Sequence, residues 1–145
     1  MKPDLSRFIE AQKFAYPTAL NEIKSGKKRS HWMWFIFPQI AGLGRSVMSE
    51  KYAIKNIEEA LEYLENEILG ARLREITGIL LLLKTNDARE VFGSPDNLKL
   101  RSCMTLFAQL DETNGIFQKV LDKYFFGTQD KRTISLINSN QEDSI

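Results

Sequence analysis

The chain has 145 residues, 43% of them hydrophobic and 27% charged, and a formal net charge of +1. This is enough for one globular domain and too little for two ordinary ones, and the near-neutral charge argues against broad nucleic-acid binding. One cysteine excludes an internal disulfide and, with one histidine, gives no zinc-ligand spacing. No apolar run is long enough to cross a membrane, so we expect no membrane partner. The single cysteine favours a cytoplasmic protein, and we expect no metal and no cofactor.

Helical signals open the chain. Asp4 is placed to cap a first helix, and the residue before a proline avoids the α region, so this helix is predicted to end at Tyr16. Pro17 then suits the first position of a second helix over 18–25.

The helical signals are less regular between the predicted second helix and residue 54. Periodicity does not decide the state of the apolar stretch 31–37, for which we favour a short helix capped by Ser30 and stopped by Pro38. Residues 46–54 are predicted to be irregular, with room for one helical turn.

A clear helix follows Asn56, which begins a variant capping box. After a break near Asn66, a long helix is predicted over 68–84. Its second half is apolar nearly all round, so we expect it to be the central, most buried helix.

Capping residues mark four more helix starts in the last third, namely Asp87, Ser94 followed by Pro95, Asn114 with Gly115, and Asp130. We therefore predict an all-α fold in which residues 1–138 form a single compact domain of about seven to nine helices, several of them short. The polar residues 139–145 are predicted to be a frayed tail.

Residues 27–40 form the most informative segment, because they hold the only histidine and both tryptophans. His31 carries the one imidazole of the chain and is a candidate catalytic acid or base, unless it only fixes the local turn. Trp32 and Trp34 are candidates for stacking on a flat ligand such as a nucleobase, the alternative being burial in the core.

Polar residues of the same segment are predicted to bind ligand. Lys28 and Arg29 are candidates for a clamp on a phosphate or an acidic partner, the alternative being solvated side chains that complement a helix dipole. Ser30 belongs to this ligand-binding set. Gln39 either reads an amide or base edge or simply completes the turn after the aromatic residues.

A second candidate site lies on the helix predicted to start at Ser94. Asp96 is a candidate catalytic acid or base, and Lys99, Ser102 and Thr105 follow it at intervals of three, which keeps them on one side over a few turns. We expect these three to bind ligand. The alternative is capping with an ordinary surface pair between Asp96 and Lys99.

Motifs along nearly the whole chain resemble a family of small, mostly bacterial proteins, the domain of unknown function 1810. The specific one is Ser-His-Trp-Met-Trp-Phe-Ile-Phe-Pro-Gln at 30–39. The others lie at 4–8, 52–54, 59–60, 63–64, 69–70, 72–73, 92–96, 99–100, 102–107, and at 126–127 with 130 and 133. The resemblance implies a mainly α-helical fold and no established activity. Cys103 stands where the family pattern usually has serine, which argues against an essential hydroxyl there.

Some members of that family carry the label calpastatin, which does not suit this chain. Calpastatin is a disordered inhibitor rich in proline and charge, whereas this sequence has nine phenylalanines and a predicted helical core.

Two functions from different classes follow. In the first, the two candidate segments line one pocket for a nucleotide-like or phosphorylated small molecule. In the second, the aromatic and basic surface binds a protein partner or a second copy of the chain as a homodimer, without catalysis. The sequence leaves open whether the two segments meet in space.

Overall fold

The computed structural model describes residues 4–110 and 115–143, and within these ranges it contains nine helices and no strand. The predicted all-α fold class is confirmed. The helices are α1 Ser6–Lys24, α2 Met33–Ile36, α3 Val47–Lys51, α4 Ile57–Glu65, α5 Leu69–Leu82, α6 Ala88–Phe92, α7 Asp96–Ala108, α8 Ile116–Phe125 and α9 Lys131–Asp143. In the described part of the chain, no helix is both long and apolar enough for a bilayer crossing.

Helix α1 runs without a break through Pro17, so the predicted end at Tyr16 is wrong. The buried residues Tyr16, Ala19 and Ile23 stand on both sides of the proline and share one face against the core. Pro17 itself is exposed, so its ring faces solvent. Burial of the continuous apolar face outweighs the cost of about 3 kcal/mol that an interior proline carries.

Two of the predicted serine caps are also wrong. Trp32 occupies the cap position of α2, and Ser30 bonds to the side chain of Glu22 instead. Pro95 occupies the cap position of α7 with no side-chain cap, and Ser94 is exposed. In both places tertiary packing of the following residues, rather than a local hydroxyl, sets the start of the helix.

Three predicted caps are confirmed and a fourth lies outside the described residues. In each confirmed case a side-chain oxygen accepts a backbone N–H two or three residues ahead, as this position requires. The pairs are Asn56 with Glu59 at 2.9 Å, Asp87 with Arg89 at 2.9 Å and Asp130 with Thr133 at 3.3 Å, while Asn114 is the cap that is not described.

The central helix is α7 and not, as predicted, the helix at 68–84. Residues 102–107 of α7 are all buried, because α7 packs against α4, α6, α8 and α9. In α5 the apolar run reaches the surface, where Leu82 is 78% exposed. The apolar run of α5 therefore does not identify the helix that packs against the largest number of other helices.

Helix α9 extends to Asp143, well into the predicted tail at 139–145, whose last two residues lie outside the described part. The side-chain amide of Asn140 donates to the carbonyls of Ala41 and Lys55, both at 3.1 Å. This polar anchor ties the end of α9 to two loops, and a search for apolar periodicity does not detect it.

Candidate functional site

The two candidate segments meet through one aspartate. The Lys28 Nζ lies 3.0 Å from the Asp96 Oδ2, and the Lys99 Nζ lies 3.4 Å from the Asp96 Oδ1. Lys99 also stands 5.5 Å from the ring centroid of Trp34, within the range of a cation–π contact. The start of α7 and the segment that carries α2 thus form one lysine–aspartate cluster, made of Lys28, Asp96 and Lys99.

Glu22 organises the loop before α2, and sequence reasoning missed it. Its carboxylate accepts hydrogen bonds from the Arg29 N–H at 2.7 Å, from the Ser30 N–H and hydroxyl at 3.0 and 2.6 Å, and from the Trp32 indole at 2.9 Å. Partial burial raises its pKa, but these hydrogen bonds, led by the Ser30 hydroxyl, outweigh burial and lower it to about 2. Because the partners lie seven to ten residues away, no local pattern reveals them.

The segment 27–40 splits into buried and exposed residues. Trp32 is 1% exposed, with its indole N–H bonded and the Lys28 ammonium 5.0 Å from its ring centroid, so it packs as core. His31 and Arg29 are exposed. Within residues 4–110 and 115–143, the imidazole of His31 has neither a hydrogen bond nor an ion pair.

Ser102 and Thr105 lie with Asp130 rather than with the lysine–aspartate cluster. The Ser102 hydroxyl donates to the Asp130 carboxylate at 3.0 Å, and the Thr105 hydroxyl accepts the backbone N–H of Asp130 at 2.9 Å. The Thr133 hydroxyl donates to the same carboxylate at 2.5 Å. All three hydroxyls are buried and fasten the start of α9 to α7.

A pocket of about 210 Å³ adjoins the lysine–aspartate cluster at Trp34. Gln39 also lines it, so two residues predicted from the sequence share this pocket. At its base the Ala41 N–H donates to the carbonyl of Ile54, and the Ile54 N–H donates to the carbonyl of Gln39, both at 2.8 Å. The full lining is Trp34, Gln39, Ile40, Ala41, Gly42, Leu43, Gly44, Ser49, Glu50, Tyr52 and Ala53.

One wall of the pocket is held by Arg7 of α1. Its guanidinium donates to the carbonyls of Lys51 and Ala53, both at 2.8 Å, and pairs with Glu59 at 2.9 Å. The same Glu59 carboxylate accepts the backbone N–H of Lys55 at 3.0 Å. Charge-assisted bonds of this kind are stronger than neutral ones, so this wall is fixed from outside the pocket.

Two glycines allow the 42–44 part of the pocket lining to lie close to its neighbours. A Cβ at Gly44 would lie 2.6 Å from the Ser49 side chain, and one at Gly42 would lie 2.9 Å from Leu136 of α9. Gly42 also has a φ of +104°, which L side chains rarely adopt. Substitution at either glycine would therefore push the 42–44 loop out of its present place.

Among the described side chains, no group of three or more His, Cys, Asp or Glu residues is placed to hold a metal ion. Burial raises the pKa of the Cys103 thiol well above its usual value. Cys103 is therefore a structural residue of the core rather than a nucleophile at this site.

Comparison with known proteins identifies relatives but no activity. A family model described as "Protein of unknown function (DUF1810)" matches residues 2–137. The fold matches the 1.38 Å crystal structure of the conserved hypothetical protein Rv1873 from Mycobacterium tuberculosis with a TM-score of 0.90 and 45% identity, covering 93% of this chain and 96% of that one. No curated protein matches the chain.

Proposed function

Because the chain belongs to the family of domain of unknown function 1810, as its motifs predict, and that family's description assigns no activity, we propose a function from the site itself. The protein binds a small planar molecule of the nucleobase or mononucleotide class in the pocket beside Trp34. The observation that carries this proposal is that Trp34, a half-buried aromatic residue, and Gln39 line one pocket.

The size of the pocket favours a single flat ring system. Sites for drug-sized ligands are about 300–1,000 Å³, and this pocket holds about 210 Å³. Stacking of a base on an aromatic side chain contributes about 1–3 kcal/mol per base. A heterocycle stacked on Trp34, with its edge near Gln39, fits both the volume and the residues of the lining.

A phosphorylated ligand would place its phosphate beside the pocket rather than inside it. Lys99 stands over the Trp34 ring, does not line the pocket, and has a side chain that is 27% exposed, against 9% for Lys28. Its ammonium is therefore the cation best placed to meet a phosphate. His31 does not line the pocket either, so the proposal is binding, without an assigned catalytic step.

The same geometry favours a pocket over a protein-interaction surface at this place. Binding hot spots are aromatic residues that a partner can cover. Trp32, Phe35 and Phe37 are at most 8% exposed, which leaves Trp34 as the partly exposed aromatic residue of the segment. A homodimer or protein partner at this surface would therefore have one aromatic anchor to use.

We expect the protein to act in the cytoplasm, where thiols stay reduced. The single cysteine, Cys103, is free and buried in the core, and a reducing compartment suits this arrangement.

A titration tests the proposal directly. Adenine, adenosine and AMP are added to the purified protein, and binding is measured by calorimetry and by the change in thermal midpoint. We expect Trp34→Leu to weaken binding about tenfold, because stacking is lost. The matched control is Phe14→Leu, which changes an aromatic side chain that is 82% exposed on α1. Equal affinity of the two variants, or no binding to the unmodified protein, would overturn the proposal.

A further inference from the structure

We propose that Glu50 makes this pocket selective for heterocycles that carry an amino group over rings of the same shape that lack one. The inference rests on the proposed function, since it concerns the ligand of the same pocket.

The lining of the pocket carries one formal charge. Of the eleven residues that line it, Glu50 alone carries a formal charge, and the others are apolar, glycine or neutral polar residues. Glu50 is exposed, and in the part of the chain that the structure describes it forms no ion pair. The pocket therefore has a net negative lining that no neighbouring cation neutralises through a direct pair.

The nearest cation in sequence, Lys51, stands beside the lining without being part of it. The Lys51 ammonium lies 5.3 Å from the ring centroid of Tyr52, and Lys51 is not part of the lining. The lysines of the lysine–aspartate cluster are already paired with Asp96. Glu50 thus brings the one formal charge of the lining to a pocket that Trp34 and Tyr52 also line.

The chemistry of a carboxylate decides which ligand edge it accepts. An ionised carboxylate is an acceptor only, and its hydrogen bonds to N–H donors are about twice as strong as neutral ones. It repels a phosphate and the lone pairs of a carbonyl edge. An amino group on a planar heterocycle supplies the missing donor, whereas the phosphate of a nucleotide is repelled by Glu50 and attracted by the ammonium of Lys99.

Three purines that differ only in the amino group test this inference. Purine, adenine and 2-aminopurine are titrated into the full chain by calorimetry. At least one aminopurine is expected to bind about tenfold more tightly than purine, which corresponds to about 1.4 kcal/mol. In Glu50→Ala this preference should fall to within about twofold, whereas Glu50→Gln should keep part of it, because its amide oxygen still accepts a hydrogen bond.

The controls separate this inference from the proposed function. Glu10→Ala removes a carboxylate that is also exposed, on α1, and should keep the full preference. Trp34→Leu should weaken the binding of all three purines alike. Equal binding of the three purines to the unmodified protein, or a preference that survives Glu50→Ala, overturns the role of Glu50 and leaves the pocket intact. Binding of none of them overturns both proposals.

Discussion

The Lys28 ammonium lies 3.0 Å from the Asp96 carboxylate, although the two residues are far apart in the sequence. The Lys28 side chain is 9% exposed and also donates to the carbonyl of Ser30 at 2.5 Å. This pair joins the loop before α2 to the first turn of α7. It answers the question that the sequence leaves open, because it brings the two candidate segments into contact.

Removal of the Asp96 charge should destabilise the fold. Asp96→Asn leaves the largely buried Lys28 ammonium without its carboxylate, and breaking such a pair costs more than the pair itself contributes. Since Asp96 is 20% exposed, we expect a loss of about 1–3 kcal/mol in the free energy of unfolding, measured by urea denaturation.

The matched control for this pair is Lys99→Met. Lys99 is three times as exposed as Lys28, at 27% against 9%, and lies farther from Asp96, at 3.4 Å. Its removal should cost less than about 1 kcal/mol, as for an exposed pair. An Asp96→Asn variant as stable as Lys99→Met would show that solvent screens both pairs equally and that the Lys28 pair does not hold the segments together.

Glu22 should make stability depend on pH in the acid range. Its pKa falls from an ordinary 4.5 to about 2 in the folded chain, so the unfolded chain binds the proton more readily. The stabilisation is therefore complete above pH 4.5 and is lost as the pH falls toward 2. Because the carboxylate is partly exposed, we discount the contribution to about 1–2 kcal/mol.

A Glu22→Gln variant tests this dependence. The unmodified protein should lose stability between about pH 5 and pH 2 more steeply than the variant, as measured by denaturant melts at each pH. Glu10→Gln, which changes an exposed glutamate on the same helix, should follow the unmodified protein. Parallel curves for the protein and for Glu22→Gln would contradict a lowered pKa.

The sequence predicts local features well and distant ones poorly. The caps at Asn56, Asp87 and Asp130 are predicted because donor and acceptor lie within three residues of one another. The fold class follows from apolar periodicity in the same local way. The continuous helix through Pro17 is missed because the deciding energy is the burial of a face assembled from the rest of the chain.

The same contrast holds for the candidate site. The segment with two tryptophans stands out in the sequence because its composition is unusual, and the structure brings its Lys28 together with Asp96, a contact that the sequence leaves open. That Trp32 is core while Trp34 lines a pocket is not visible in the sequence, because the indole of Trp32 bonds to Glu22, ten residues away. Glu50 is not detected, because one glutamate in a short helix has no local signature, and only the structure shows that it lines the same pocket as Trp34.

The end of α9 should hold the base of the pocket. Asn140→Ala removes the hydrogen bonds to the carbonyls of Ala41 and Lys55. We expect a loss of about 1–2 kcal/mol in stability and faster amide hydrogen exchange at 40–42 and 53–55. Asn138→Ala, an exposed change on the same helix, should leave both unchanged. Unchanged exchange in the Asn140 variant would show that α9 does not support this pocket.

The turn after α8 should gain stability when Phe126 is replaced by glycine. Phe126 is fully exposed and has a φ of +56°, a left-handed conformation that costs a side-chain-bearing residue about 1–2 kcal/mol. The greater freedom of glycine in the unfolded chain offsets part of this. We therefore expect Phe126→Gly to raise the free energy of unfolding by about 0.5–1 kcal/mol.

Phe14→Gly is the control with the opposite sign. Phe14 is 82% exposed within α1, where a glycine costs about 1 kcal/mol of helix stability. Denaturation at two protein concentrations tests whether a second copy of the chain covers the Phe126 ring. If Phe126→Gly destabilises the protein, and does so more at high concentration, then the exposed ring is covered by a second copy of the chain in solution. Its left-handed conformation would then be compensated by contacts between subunits rather than left as strain.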